Sequence, residues 1–166
     1  MDHDPQPPAQ VRSAISSSIQ CFERFVPAFD ALLNDVIMRM QGERKEVRAA
    51  ILKQADGAQK PRFSANVLTH RYYKGTFDLS WIEIFRKRGN PEQFYRRIPL
   101  RKGVTHISRV LKGALPDEVA LLREHEFLAR EHRQLWSDYL IIRRALRNFE
   151  VRAARLLAEP NESPLG

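Results

Sequence analysis

One hydrophobic repeat dominates the last third of the chain. Its apolar positions recur every seven residues without a break: Leu121, Leu128, Leu135, Ile142, Phe149 and Leu156. A companion line follows along the same seam: His125, His132, Tyr139, Leu146 and Ala153. A seven-residue repeat sustained over this length is typical of a coiled-coil helix. The pattern predicts a helix over residues 117–158, with Asp117 as its N-cap after Pro116.

The N-terminal region carries a second helical pattern over residues 10–57, after a predicted disordered tail at residues 1–8. Its apolar residues are spaced by three or four: Ile15, Ile19, Phe22, Val26, Phe29, Leu33, Val36 and Met40. Pro27 either kinks one long helix or starts a second one. Both apolar stripes are wider than a single seam, and two helices alone would leave much of them in water. We therefore expect a homodimer with a four-helix arrangement.

The period changes in residues 60–112, which we call the basic β module. Residues 76–86 are rich in β-branched and aromatic side chains and predict a strand. A turn at 88–92 and a returning strand at 93–100 follow, in a register that pairs Phe85 with Tyr95. Residues 66–73 predict a third strand, and residues 105–112 a short helix.

These elements together predict a mainly α fold with a small β element. The two long helices are expected to form an antiparallel hairpin, with an inserted two- to three-stranded antiparallel sheet at its tip. The length predicts a single domain over residues 1–166, ending in a tail at 159–166.

The basic β module holds thirteen Lys or Arg residues against three acids, whereas the flanking segments are nearly neutral. In a chain of net charge +8, this concentration indicates an anionic partner, with duplex DNA favoured over a single strand. The alternative, common for charge runs, is a solvated surface. The residues predicted to contact DNA are Arg62, Arg71, Lys74, Arg86, Lys87, Arg88, Asn90, Arg96, Arg97, Arg101 and Lys102.

Two further expectations concern this module. The turn from Arg88 to Asn90 is the first place to look for base-specific reading. Phe77, Leu79, Trp81 and Phe85 alternate along one strand face, and we expect them to pack the core rather than to stack on bases.

Motifs for catalysis are missing: the sequence has no P-loop, no dinucleotide-binding glycine pattern and no Gly-x-Ser-x-Gly. Cys21 is the single cysteine, which excludes an intrachain disulfide and a cysteine zinc cluster. We therefore expect no enzyme activity, no cofactor and no metal. With no secretory signal and no apolar run near the ~18 residues that span a bilayer, the chain is expected to be cytoplasmic, without a membrane partner.

His125 and His132 leave two readings open. They are seven residues apart, about 10.5 Å along a helix, which is too far for one ion within a single chain. A metal bridging two chains is one reading. Polar seam positions that fix the helix register are the other.

Several features follow one another over residues 70–147: a tryptophan-containing strand at 80–84, a basic return strand ending in Ile98-Pro99, a basic linker, and a helix with spaced Glu118, Glu126 and Arg133. In this order of features the chain resembles the MobI-type conjugative transfer proteins of bacterial integrative elements and plasmids. The resemblance implies an accessory role at the transfer origin of a mobile genetic element, with a relaxase or other transfer proteins as partners. It implies no catalytic residues.

The leading hypothesis is a non-enzymatic, dimeric DNA-binding accessory protein that acts in conjugative DNA transfer through the basic β module. One alternative is a coiled-coil adaptor or scaffold whose basic tip docks an acidic protein. An RNA-binding protein is the other, because charge alone does not separate RNA from DNA.

Overall fold

The computed structural model describes residues 7–55, 61–101 and 104–156. The predictions for residues 1–6, for the helix end at 56–57, for Lys102 and for the tail at 159–166 lie outside these ranges. The elements in chain order are α1 (Pro7–Glu23), α2 (Phe25–Gln54), β1 (Asn66–Tyr73), β2 (Thr76–Arg86), β3 (Gln93–Arg97), β4 (Leu100–Arg101), β5 (Val104–Thr105), α3 (Ile107–Val110) and α4 (Pro116–Leu156). The predicted class, mainly helical with a small antiparallel sheet, is confirmed.

The chain divides into two compact units. One is Asp30–Trp136, which includes the sheets, and the other combines Met1–Phe29 with Ser137–Gly166. Each is described by itself below.

The break between α1 and α2 has a local cause. Pro27 has no N–H to donate to the carbonyl of Glu23, four residues earlier, and α1 ends at that residue. Pro27 is then the third residue of α2, within the first turn, where backbone N–H groups have no helical acceptor. Only Arg24 separates α1 from α2, and its N–H still bonds to the carbonyl of Gln20 at 3.3 Å, so the two spans continue as one long joined helix interrupted near Pro27. The predicted tail was wrong at Pro7 and Pro8, which already belong to α1.

The start of α4 differs from the predicted range of 117–158 by one residue. The helix begins at Pro116, so Asp117 is inside its first turn and is not the N-cap. Proline suits this first position because its fixed φ is already helical and its missing N–H would be unpaired there. The backbone N–H of Leu115 instead donates to the carboxylate of Glu118, 3.5 Å away, which is the reciprocal half of a capping box.

The three-stranded sheet has the order β1-β2-β3, and the predicted third strand over 66–73 is confirmed. Its β2–β3 register was predicted wrongly by one residue: Phe85 pairs with Phe94, and Glu83 pairs with Arg96. The connecting turn sets this register, because the N–H of Asn90 bonds to the carbonyl of Lys87 at 3.0 Å and the Asn90 side chain accepts from the N–H of Glu92 at 2.8 Å.

The returning strand is shorter than predicted. It ends at Arg97, and Pro99 separates it from β4, which pairs with β5 in a separate two-stranded sheet. The predicted helix over 105–112 is reduced to Ile107–Val110, because Thr105 belongs to β5.

One face of β2 forms the core of the larger unit. Phe77, Leu79 and Trp81 are buried, as predicted, and Phe85 is half-buried. The Phe77 ring meets Trp136 of α4 edge-on, with centroids 4.6 Å apart. These contacts fix the sheet against α4 in Asp30–Trp136.

The buried residues of α4 follow the predicted seam leucines by one position in the sequence. In the larger unit they include Leu122, His125, Ala129 and Trp136, while Leu121 and Leu128 are half-buried and Leu135 is exposed. In the smaller unit Tyr139 is buried between stacked Phe22 and Phe25, Leu146 is half-buried, and Ile142 and Phe149 are exposed.

A buried carboxylate holds the larger unit together. The side chain of Glu118 is fully buried and accepts bonds from Arg48 Nε at 2.7 Å, from Arg44 Nε at 3.3 Å and from the N–H of Ser64 at 3.2 Å. Arg44 also donates to the carbonyls of Ser64 and Asn66. This Glu118 cluster therefore joins α2, the segment before β1 and the first turn of α4.

Burial alone would raise the pKa of Glu118. The hydrogen bonds from Arg48 and from the Ser64 N–H, with the charges of Arg48 and Arg44, outweigh it and hold that pKa below its usual value. Burial also lowers the pKa of Arg44, as does the charge of Arg48, whereas Glu118 opposes both.

Replacing Glu118 with Gln keeps the side-chain shape but leaves the buried Arg44 guanidinium without its carboxylate. We expect the free energy of unfolding, measured by urea denaturation at neutral pH, to fall by about 3–5 kcal/mol, the usual result of removing one partner of a buried pair. Asp117→Asn is the matched control, since this exposed carboxylate of the same turn should contribute about 0.3–1 kcal/mol. Equal losses in the two variants would contradict the role of Glu118.

The pH dependence of the same variant follows from the lowered pKa. The stability that Glu118 contributes is present above the pKa of an unfolded glutamate, about 4.3, and is lost as the pH falls through the lower pKa of the folded chain. The difference in stability between the wild-type chain and Glu118→Gln should therefore shrink with acidification in this range.

Candidate nucleic-acid interface

The described part of the basic β module carries eleven Lys or Arg residues against three acids. The order of the three strands separates these charges along the sheet. The β1–β2 turn and the β2–β3 turn lie at opposite ends of β2, which has eleven residues and is therefore roughly 35 Å long. The predicted DNA-contacting residues thus do not form one compact patch. Arg71 and Lys74 lie at one end, and the segment from Arg86 to Asn90 lies at the other.

At the β1–β2 turn, cations surround one exposed ring. Lys74 and Gly75 adopt positive φ angles of 50° and 77°, as a two-residue hairpin turn of type I′ requires. The Arg71 guanidinium and the Lys74 amine lie 5.3 and 5.2 Å from the ring centre of Tyr73, which is 54% exposed. An exposed ring beside two cations can stack on a base.

At the β2–β3 turn, Arg86, Lys87 and Arg88 are exposed. Among the described residues, none of the three forms an ion pair, and the Lys87 amine lies over the Phe94 ring at 4.7 Å. Asn90, predicted to read bases, uses its side-chain oxygen within the turn. The free charge at this end therefore comes from Arg86, Lys87 and Arg88.

Arg96 and Arg97 are held by carboxylates on β2. Arg96 donates from Nε to Glu83 at 3.0 Å and also from Nη2, and Arg97 donates to Asp78 at 2.5 Å. Both arginines remain exposed, but each already has an anionic partner. Of the other predicted contacts, Arg62 and Arg101 are exposed.

Sequence reasoning did not single out Arg109 and Lys112. They lie in and just after α3 and line a cavity of about 300 Å³ together with Glu83, Arg96, Arg97 and Ile98. Both residues counted toward the charge of the module, but only the fold brings them to β3. No sequence pattern indicates that these two residues lie beside β3. Their placement depends on α3, which is positioned by two hydrogen bonds of 2.8 Å from the Asn66 side chain to the carbonyls of Arg109 and Val110.

The hydrogen bond from Arg96 is the main reason why the pKa of Glu83 lies below its usual value. Burial opposes this shift, and the charges of Arg96, Lys112 and Arg109 add to it. Glu83 therefore stays ionised and balances one of the cations around the cavity.

The two seam histidines are engaged by their own chain. His125 is buried, with Nε2 2.9 Å from a carboxylate oxygen of Glu43, and Nδ1 of His132 bonds to the carbonyl of Leu128 at 2.6 Å. Within the described ranges, no three His, Cys, Asp or Glu side chains are grouped as a metal site would need.

Comparison of the chain with protein-family models, with curated proteins and with solved structures gave no match. Among the described helices, none combines the length and the apolar character that crossing a membrane requires.

Replacing Arg96 with Gln should raise the pKa of Glu83 toward the usual value of about 4.3, because the strongest hydrogen bond to the carboxylate is lost. A titration of the Glu83 carboxyl carbon by NMR measures this. Arg97→Gln is the control, since Arg97 bonds to Asp78, and it should leave the pKa of Glu83 low. A Glu83 titration that is the same in Arg96→Gln and wild type would show that the pair does not form in solution.

Proposed function

We propose that this protein is a non-enzymatic DNA-binding protein whose interface is the β2–β3 end of the basic β module. The observation that carries the proposal is the group of exposed cations at that turn, Arg86, Lys87 and Arg88, which have no ion-pair partner among the described residues. Cations of this kind neutralise phosphates and release counterions, which is the main source of sequence-independent affinity.

Duplex DNA is the proposed form of the ligand. The pairing of β2 with β1 ends at Glu83, so the last residues of β2 pair with β3 alone. A two-stranded end of this kind has the width to enter a major groove, where a turn carrying three consecutive cations can meet phosphates. The involvement of Asn90 in its own turn argues for contacts to the phosphate backbone rather than to base edges.

We further propose a role in conjugative DNA transfer, at the transfer origin of a mobile genetic element and alongside a relaxase or other transfer proteins. The resemblance to MobI-type proteins supports this role. Three residues that carry the resemblance are in contact: the Trp81 indole N–H donates to Glu126 at 2.7 Å, and Arg133 donates to the same carboxylate at 2.6 Å.

Replacing Arg86, Lys87 and Arg88 with Gln tests the interface. We expect DNA affinity to fall about tenfold or more near ~100 mM salt, and the slope of log affinity against log salt to decrease by about 2–3, because up to three phosphate contacts are lost. Fluorescence anisotropy with a labelled duplex over a salt series measures both quantities.

The matched control replaces three exposed arginines of α4, Arg123, Arg130 and Arg152, with Gln, which gives the same net charge. It should keep wild-type affinity within about twofold. Equal losses in both variants would mean that overall charge, not this end of the sheet, binds DNA. No binding of wild type to any duplex or single strand at about 50 mM salt would reject the proposal and favour the adaptor hypothesis.

We also propose that the chain is a homodimer that associates through α4, and that its long helical regions form an antiparallel hairpin. Support for the hairpin comes from each unit separately: Phe25 of α2 stacks on Tyr139 of α4 at 4.8 Å in one, and Glu43 of α2 bonds to His125 of α4 in the other. Support for the dimer comes from the heptad residues Ile142 and Phe149, which are 48% and 56% exposed.

Ile142→Glu should convert the dimer into a monomer, because it places a charge on the apolar strip that the partner would cover. Sedimentation equilibrium at roughly 20 µM, which detects micromolar association, measures this. Val151→Glu is the control: Val151 is 51% exposed, but nine residues along the helix place it on the opposite side of α4. A monomeric wild-type chain would refute the dimer.

A further inference from the structure

The cavity beside β3 is built from two separate parts of the basic β module. Glu83 and Arg96 come from paired positions of β2 and β3, and Ile98 continues the line of β3 through a bond from its N–H to the Trp81 carbonyl at 2.8 Å. Arg109 and Lys112 come from the α3 segment. The cavity thus brings cations from both sides around one space of about 300 Å³.

The backbone on the α3 side is fixed by buried groups. Asn66 donates to the carbonyls of Arg109 and Val110, and the Ser64 hydroxyl donates to Val110 at 3.2 Å. Both Ser64 and Asn66 are buried and accept hydrogen bonds from Arg44 through their carbonyls. The backbone that carries Arg109 and Lys112 is therefore anchored to the interior, while both side chains are exposed.

The charges around the cavity do not cancel. Glu83 balances Arg96, and Asp78 balances Arg97. Within the part of the chain that the structure describes, Arg109 and Lys112 form no salt bridge, and their charges act on the same Glu83 that already pairs with Arg96. Counted over the described residues, the charge around the cavity is therefore positive by two, and Ile98 is the only apolar side chain among the described residues that line it.

The size and charge select a class of ligand. A cavity near 300 Å³ is at the lower end of small-molecule sites, and with one apolar residue among the described residues of its lining it does not suit an apolar ligand. A phosphate monoester carries a charge of about −1.5 to −2 at neutral pH, which matches the excess, and arginine forms bidentate bonds to phosphate oxygens. A phosphodiester within a strand carries a single charge and so balances only half of it.

We propose that this cavity is a binding site for a phosphate monoester, either the terminal phosphate of a nucleic-acid strand or that of a free nucleotide. If the phosphate belongs to the end of a nucleic-acid strand, this inference rests on the proposed DNA binding. If it belongs to a free nucleotide, the inference does not depend on DNA binding. Arg109 and Lys112 bind the phosphate oxygens, and Glu83 holds the Arg96 guanidinium toward the same space.

The test uses the full chain and titration calorimetry with a nucleoside monophosphate, the matching nucleoside and inorganic phosphate. Wild type should bind the monophosphate and not the nucleoside. The variant Arg109→Gln with Lys112→Gln should bind the monophosphate about tenfold or more weakly, since two charge-assisted contacts are removed. The control Arg123→Gln with Arg130→Gln makes the same charge change on exposed positions of α4 and should bind as wild type does.

Oligonucleotides with and without a 5′-phosphate separate the two sources. A preference for the phosphorylated strand that disappears in Arg109→Gln with Lys112→Gln supports the strand end. Equal affinity for the two strands, together with binding of the monophosphate, supports the free nucleotide. Binding of the monophosphate that survives in the variant Arg86→Gln with Lys87→Gln and Arg88→Gln would show that this site is independent of the proposed DNA interface.

Two outcomes would overturn the site. One is the absence of monophosphate and inorganic phosphate binding to wild type at about 10 mM ligand, well above the range of specific sites. The other is equal affinity of wild type and of Arg109→Gln with Lys112→Gln for the monophosphate, with both chains shown to be folded by their helical circular dichroism.

Discussion

The packing of the larger unit depends on the ion pairs and hydrogen bonds that the buried carboxylate of Glu118 accepts. A buried charge is stable only when it is paired and fully hydrogen-bonded, and here Arg44, Arg48 and the Ser64 N–H meet that requirement. The same arginines bind the backbone just before β1. Through Ser64 and its neighbour Asn66, the hydrogen bonds continue to the carbonyls of α3. The position of the basic β module therefore follows from two charge pairs between residues 74 and 70 positions apart.

A second buried carboxylate has the same role for the sheet. Glu126 accepts from the Trp81 indole and from Arg133, and Arg133 also donates to the carbonyl of Leu79. Trp81, Glu118, Glu126 and Arg133 lie inside the molecule and hold β2 and α4 in place, so these side chains support the fold. Among the described residues, the exposed cations at the β2–β3 turn take no part in these contacts.

Local patterns predicted the elements well. The alternation and composition of 66–73 and 76–86 predicted β1 and β2 to the residue, and the concentration of charge located the module that carries the candidate interface. What failed depended on single side-chain contacts. The β2–β3 register follows from the turn bonds of Asn90, and the start of α4 follows from Pro116 and from Glu118, which arginines of α2 draw inward. Neither the arginine partners of Glu118 nor the place of Arg109 beside β3 produces a periodic signal.

The distribution of carboxylates decides which cations can contribute to binding. A phosphate that reaches Arg96 or Arg97 meets a guanidinium whose charge Glu83 or Asp78 already balances, so the net gain is small. Arg86, Lys87, Arg88, Arg109 and Lys112 form no salt bridge among the described residues, so contact with phosphate there adds an interaction without removing a salt bridge. A count of basic residues therefore overstates the binding surface. The affinity of the module should depend on these cations, while the ion-paired arginines fix the geometry of β3 and position its guanidinium groups beside the cavity.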